Sequence, residues 1–213
     1  MNKYVRKPFE ARFQNKQAQK LPTSPEEWCV HWQKQGQPWR TEPEILLERQ
    51  QELSNCRTIV PDIEKGIYPF KDVKLKRADV EWLLTTHEDG RGPVNWSDEW
   101  QRKRKGLDLR GANLRNVDLH ALPLACLIGG MSPEDIFPVL QGGRHPNEGL
   151  IHLEGADLRY THLEGARLAY GYLEDADLSE AHLEDADLSA AQLESAWLDK
   201  AYLGNANLHL ALP

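Results

Sequence analysis

The chain has 213 residues, enough for one or two domains. Its 26 Lys and Arg against 33 Asp and Glu give a net charge of -7, split unevenly: residues 1–106 are net +4 and residues 107–213 net -11. So acidic a half does not hold nucleic acid or an anionic bilayer by charge, and a mean hydropathy of -0.65 with no long apolar run excludes a membrane span.

The first twenty residues hold six basic side chains and one Glu, with Tyr4, Phe9 and Phe13 interleaved, and read as a mobile arm. They contain no apolar core of a secretory signal. Cys29, Cys56 and Cys126 are odd in number and widely spaced. They predict neither a disulfide framework nor a zinc site, and they fit a reducing cytosol.

Residues 24–36 open with Ser24 as a cap and Pro25 at the first helical position and stop at Gly36, which predicts a short helix. Residues 41–55 predict a second, capped by Thr41, with Ile45, Leu46 and Leu53 as its apolar stripe. Trp28, Trp32 and Trp39 are read as covering the end of whatever follows. Residues 68–82 offer a faint five-residue pattern centred on Phe70, Leu75 and Val80, although ADVEWLLTTH also suits a helix. An insert follows at about 83–106, with a short helix expected after Ser97 and a basic run, QRKRKG, at its end.

The pattern becomes strict at LDLRG ANLRN VDLHA LPLAC, residues 107–126, centred on Leu109, Leu114, Leu119 and Leu124. A second insert, about 127–149, carries glycine pairs at 129–130 and 142–143 and reads as a projecting loop. From Ile151 twelve units run without a slip. Their third position is always leucine: Leu153, Leu158, Leu163, Leu168, Leu173, Leu178, Leu183, Leu188, Leu193, Leu198, Leu203 and Leu208. Their first position is Ala in nine of twelve. A five-residue period spirals around a helix and alternates faces on a strand. The chain must therefore turn at every unit, bury a small and a large residue, and stack coil on coil at about 4.8 Å.

These A-[DN]-L-x-x units resemble the pentapeptide-repeat proteins. The resemblance implies a mainly β solenoid, a right-handed quadrilateral β-helix with four repeats, or twenty residues, to a coil. The expected organisation is an N-terminal arm and helical cap over 1–67, then the β-helix over 68–213 with its two inserts.

Coil 171–190 is the most acidic, at -7, from Glu174, Asp175, Asp177, Glu180, Glu184, Asp185 and Asp187. Together with Tyr170 and Tyr172 these are the candidate partner-binding residues. Tyr160, Trp197 and Tyr202 also sit at outward or corner positions. A twenty-residue coil puts Glu154, Glu174 and Glu194 on one side and Glu164 and Glu184 on the opposite side. His162 and His182 then stack and read as a polar ladder, with no metal or other cofactor assigned. Leu208, Leu210 and Leu212 leave an apolar end, where homodimerisation through the C-terminal coil is expected.

No nucleophile, base or phosphate-loop pattern is present, so the expectation is a non-enzyme: an acidic, Tyr-bearing scaffold for a protein partner. The family resemblance adds a sharper alternative, mimicry of duplex DNA toward a type II topoisomerase such as DNA gyrase. A further alternative is nucleic-acid binding through the basic arm.

Overall fold

A computed structural model describes residues 21–62, 65–131 and 149–212. The basic arm at 1–20 and most of the 127–149 insert lie outside these residues. Helix α1 spans Pro25–Lys34; the Ser24 hydroxyl accepts from the Glu27 amide and Pro25 occupies the first turn, as the sequence predicts. Helix α2 spans Leu47–Arg57 and α3 spans Arg77–Thr85. A kinked turn at His87–Gly90 and a 3-10 turn at Gln101–Lys103 lie in the first insert.

Two expectations change here. Helix α2 does not begin after Thr41. The Thr41 amide and hydroxyl donate to Glu81 Oε1 at 2.9 and 3.0 Å, and the Glu42 amide donates to Oε2 at 3.0 Å. That carboxylate on α3 holds the segment before α2 non-helical. In 68–82 the repeat persists only at Phe70 and Leu75, both buried; Val80 is buried within α3 instead.

From Lys74 onward the backbone forms a ladder of parallel bridges. His152 pairs with Tyr172, Tyr172 with Gln192 and Gln192 with Leu212, each twenty residues on. Three further ladders of the same spacing run through Asp157, His162 and Arg167, so four repeats make one coil. Lys74 pairs with Asn113 and Asn113 with His152, offsets of 39 that accommodate one excursion each. The second excursion leaves and returns at one point, because the Ile151 amide donates to the Gly129 carbonyl at 2.8 Å. The coils form a β-helix solenoid.

Each side of a coil is too short to be a strand. The Leu158 amide donates to Asp177 in the next coil (2.7 Å), and the Asp177 amide donates back to Ala156 (3.0 Å). The next turn is then closed by Thr161 donating to Leu158 at 3.2 Å. The corner requires positive φ at the fifth position. Gly155 and Gly165 supply it without strain, while Tyr160, Asp175, Ala190 and Lys200 adopt it with φ of 53–58°. Ala190→Gly should therefore raise stability by about 0.5–1 kcal/mol in urea titration, since the left-handed penalty exceeds the added chain entropy.

The core is one column. Leu153 through Leu193, every fifth residue, are at most 5% exposed, and the intervening Ala156, Ala166, Ala176, Ala181, Ala186 and Ala191 at most 1%. Full burial of a leucine contributes about 2 kcal/mol, so the column supplies much of the driving force. Leu198 and Leu203, in the last described coil, are only partly buried, with no described coil stacked on their far side. At the other end α2 and α3 contribute Leu53, Val80, Leu83 and Leu84 to the same core, with Trp39 against it. Trp32 is buried, stacks on Trp28 at 5.7 Å, and lies under the Arg40 guanidinium at 3.6 Å.

Candidate docking face

The outward positions of the solenoid form columns in which side chains recur one coil apart. The seven acids of coil 171–190 do not form one patch; they wrap all four sides. Glu174 and Asp175 share a side with Tyr172, and Tyr170 sits at its leading corner. Asp177 and Glu180 lie on the next side, where Arg159 and Lys200 approach them at 3.6 Å. Glu184 and Asp185 lie opposite the first side; Glu184 reaches His182 Nδ1 at 3.4 Å and Asp185 accepts from Asn205 at 3.2 Å. Asp187, on the fourth side, accepts from the Ser189 amide and the Asn207 amide group at 3.0 and 3.1 Å.

The first side differs in its electrostatics. Glu154, at its top, is held by Arg115 Nη2 at 2.8 Å and lies 3.0 Å from His152 Nδ1. Below it, Glu174, Asp175 and Glu194 have no cation within ion-pair reach among the described residues. Glu174 Oε2 is buried without a hydrogen-bond partner. Burial pushes the Glu174 carboxyl above its ordinary range, and the flanking Glu154 and Glu194 push it further the same way. Burial, then Glu174 and Glu154, likewise raise the Tyr172 phenol.

An acid whose folded-state pKa is raised favours folding fully below its unfolded value of 4.5 and loses that contribution as pH rises through the folded value. Glu174→Gln should therefore raise the melting temperature at pH 7 and leave it nearly unchanged at pH 4. A lower melting temperature at pH 7 would contradict this.

Tyr170 and Tyr172 are less free than their positions imply. Both are partly buried against Tyr68, Met131 and Leu150, and the Tyr172 ring stacks on His152 at 4.6 Å. On coils 151–210 the aromatic side chains that do face solvent are Tyr160, Trp197 and Tyr202, at 46, 63 and 51% exposure; Trp100, in the first insert, is 80% exposed. The histidine ladder is present: His162, His182 and Tyr202 stack at 4.8 and 4.4 Å. His162, His182 and Glu164 place one potential ligand atom each within 4.8 Å of one another. With the imidazole planes only 11° apart, the nitrogen lone pairs run side by side and do not converge on an ion. The hydrogen bond to Glu164 raises the His162 imidazole above its ordinary range.

Sequence reasoning missed a buried charge network at the cap. Glu81, fully buried, accepts from Arg77 Nε at 2.9 Å and lies 3.9 Å from Arg40 Nε. Asp79, also buried, pairs with Arg49 at 2.8 Å. Its members lie up to 41 residues apart, as Arg40 and Glu81 do, and carry no periodic signal.

The family profile described as pentapeptide repeats matches residues 151–185 and 186–211, in eight copies. Residues 151–211 thus carry the repeats of the pentapeptide-repeat family. Among solved structures it is similar to the pentapeptide repeat protein Rfr23 from the cyanobacterium Cyanothece 51142, at 24% identity and a TM-score of 0.30 over 47% of this chain and 55% of that one. It is similar to alr5209, a pentapeptide repeat protein from Nostoc PCC 7120, at 33% identity and a TM-score of 0.26 over 48% and 60%. It also matches HetL, a pentapeptide repeat protein involved in heterocyst differentiation regulation in Nostoc sp. strain PCC 7120, at 24% identity and a TM-score of 0.21 over 47% and 51%. The matches thus span between 51 and 60% of the length of these proteins. No curated protein shows significant similarity to the chain. No helix among the described residues is long and apolar enough to cross a membrane.

Proposed function

We propose that the protein is a non-catalytic protein-interaction scaffold, and that the side carrying Glu174, Asp175 and Glu194 takes a basic segment of a protein partner. The observation that carries this reading is the charge imbalance of that side. Its acids lack the cations that accompany Asp177 and Glu180, and burial, with the crowding of Glu154 and Glu194 on either side, raises the Glu174 carboxyl. A partner Lys or Arg would relieve that crowding. The column is a rigid display because each coil is bonded to both neighbours. We take it to wind as the right-handed quadrilateral β-helix that its family resemblance implies. The remaining predicted contact residues, Asp177, Glu180, Glu184, Asp185 and Asp187, lie on other sides and would serve a partner that wraps the column. The three cysteines are free, which supports a reducing, cytosolic setting.

The test is affinity capture with the wild-type chain and with Glu174→Gln/Asp175→Asn/Glu194→Gln. A partner held by the wild type, released by moderate salt and lost with the triple variant supports the reading. Undiminished capture by the triple variant would overturn it. The alternative that the family resemblance implies is DNA mimicry toward gyrase, and the concentration of negative charge on the single coil 171–190 counts against it. Protection of DNA gyrase from a quinolone in a supercoiling assay, lost in the same variant, would decide for that alternative.

Leu208, Leu210 and Leu212 are 37, 69 and 52% exposed. We assign the expected homodimer contact to this apolar edge. Sedimentation should show a dimer for the wild type and a monomer for Leu210→Glu; a wild-type monomer at high concentration would remove the assignment.

A further inference from the structure

We propose that the cavity between the helical cap and the first full coil binds a small organic phosphate: a phosphate monoester on an apolar body. The cavity encloses about 670 Å³, within the range of small-molecule sites. Its lining shares no residue with the acidic side, and the proposal does not depend on the docking reading.

The cavity exists because two coils part there. Elsewhere a second-position amide donates to the first-position carbonyl of the coil before it, as Asp177 does to Ala156. The corresponding pair would be Asp108 and Tyr68. The Tyr68 carbonyl instead accepts from Lys71, and the Phe70 amide donates to Arg110 at 3.2 Å. The Asp108 amide has no acceptor among the described residues. A backbone donor is therefore left at the cavity wall.

Charge and shape set the ligand class. Arg57, Lys105, Arg110 and Arg167 all line the cavity, on a protein of net charge -7. The two acids that line it are engaged: Asp108 with Arg110 at 2.6 Å and Glu88 with Arg104 at 2.7 Å. Among the described residues Arg57, Lys105 and Arg167 have no carboxylate within ion-pair reach. Arg57 is oriented by the Thr86 hydroxyl and carbonyl, at 2.7 and 3.0 Å. By contrast, Arg115 and Arg159 on the open coil surface are both paired with carboxylates. Three cations without a carboxylate partner among the described residues, and an amide without an acceptor there, suit a dianionic phosphate better than a single carboxylate. Buried Phe70 and Leu109 form an apolar floor, and Ile59 and Val60, 39 and 81% exposed, form an apolar rim for the body of the ligand.

Calorimetric titration with phenyl phosphate, inorganic phosphate and phenol tests this directly. Phenyl phosphate should bind one to one, at least about tenfold more tightly than inorganic phosphate, with no measurable phenol binding. Arg167→Gln and Lys105→Gln, both at exposed positions, should each weaken phenyl phosphate about tenfold while circular dichroism stays unchanged. Arg159→Gln and Glu174→Gln should not change it, which separates this site from the acidic side. Absent binding, equal affinity for inorganic phosphate, or full affinity in both cavity variants would overturn the proposal.

Discussion

Replacing Glu81 with alanine should cost about 3–5 kcal/mol in chemical denaturation, the largest loss expected from any single polar position. Glu81 is 0% exposed and Arg40 1%. The carboxylate accepts from the Thr41 amide and hydroxyl, the Glu42 amide and Arg77. Arg40 lies flat on Trp32, and its Nε and Nη2 have no hydrogen-bond partner. Removing the acid leaves the buried Arg40 guanidinium with only the exposed Glu44 carboxylate, 3.3 Å from Nη1, as counter-charge and frees the segment before α2. The charge itself is dispensable in principle. Arg40→Met/Glu81→Leu should therefore recover part of the loss, because an apolar pair of similar volume avoids the desolvation cost. A loss below about 1 kcal/mol for Glu81→Ala would show that the network is not load-sharing with the core.

The second large effect depends on position along the column. Leu178→Ala should cost about 3–4 kcal/mol, and Leu208→Ala less than about 1 kcal/mol. The two residues occupy the same repeat position and differ only in their neighbours. Leu178 is 0% exposed between two coils; Leu208 is 37% exposed on the last one. A solenoid is stabilised by nearest-neighbour contacts, so the gradient follows from stacking. Equal costs at both sites would contradict it.

The repeat was legible because its signal is local and redundant. A leucine every fifth residue, with Ala two positions before it, specifies a turn at each unit whatever surrounds it. Stacking at twenty residues then places Glu154, Glu174 and Glu194 on one side. What stayed hidden was set by long-range partners. Thr41 looks like a helix cap, yet it is taken by a carboxylate forty residues away. ADVEWLLTTH was ambiguous between repeat and helix, and α3 is where it settles. Tyr170 and Tyr172 looked exposed from their repeat positions, but Tyr68, Met131 and Leu150 cover them from outside the repeat. The parting of the coils at Asp108 had no sequence signal, because LDLRG fits the repeat as well as its neighbours do.

Every assignment of a side, and with it the docking reading, requires that residues twenty apart lie one above another. Spin labels at Glu154→Cys and Glu194→Cys, with Cys29, Cys56 and Cys126 replaced by Ser, measure this by dipolar broadening. The expected separation is two coil spacings, about 10 Å between backbones, and stronger coupling than for Glu154→Cys with Glu184→Cys, which is nearer in sequence but on the opposite side. Coupling stronger in the 154/184 pair, or none in the 154/194 pair, would contradict the stacked four-repeat coil.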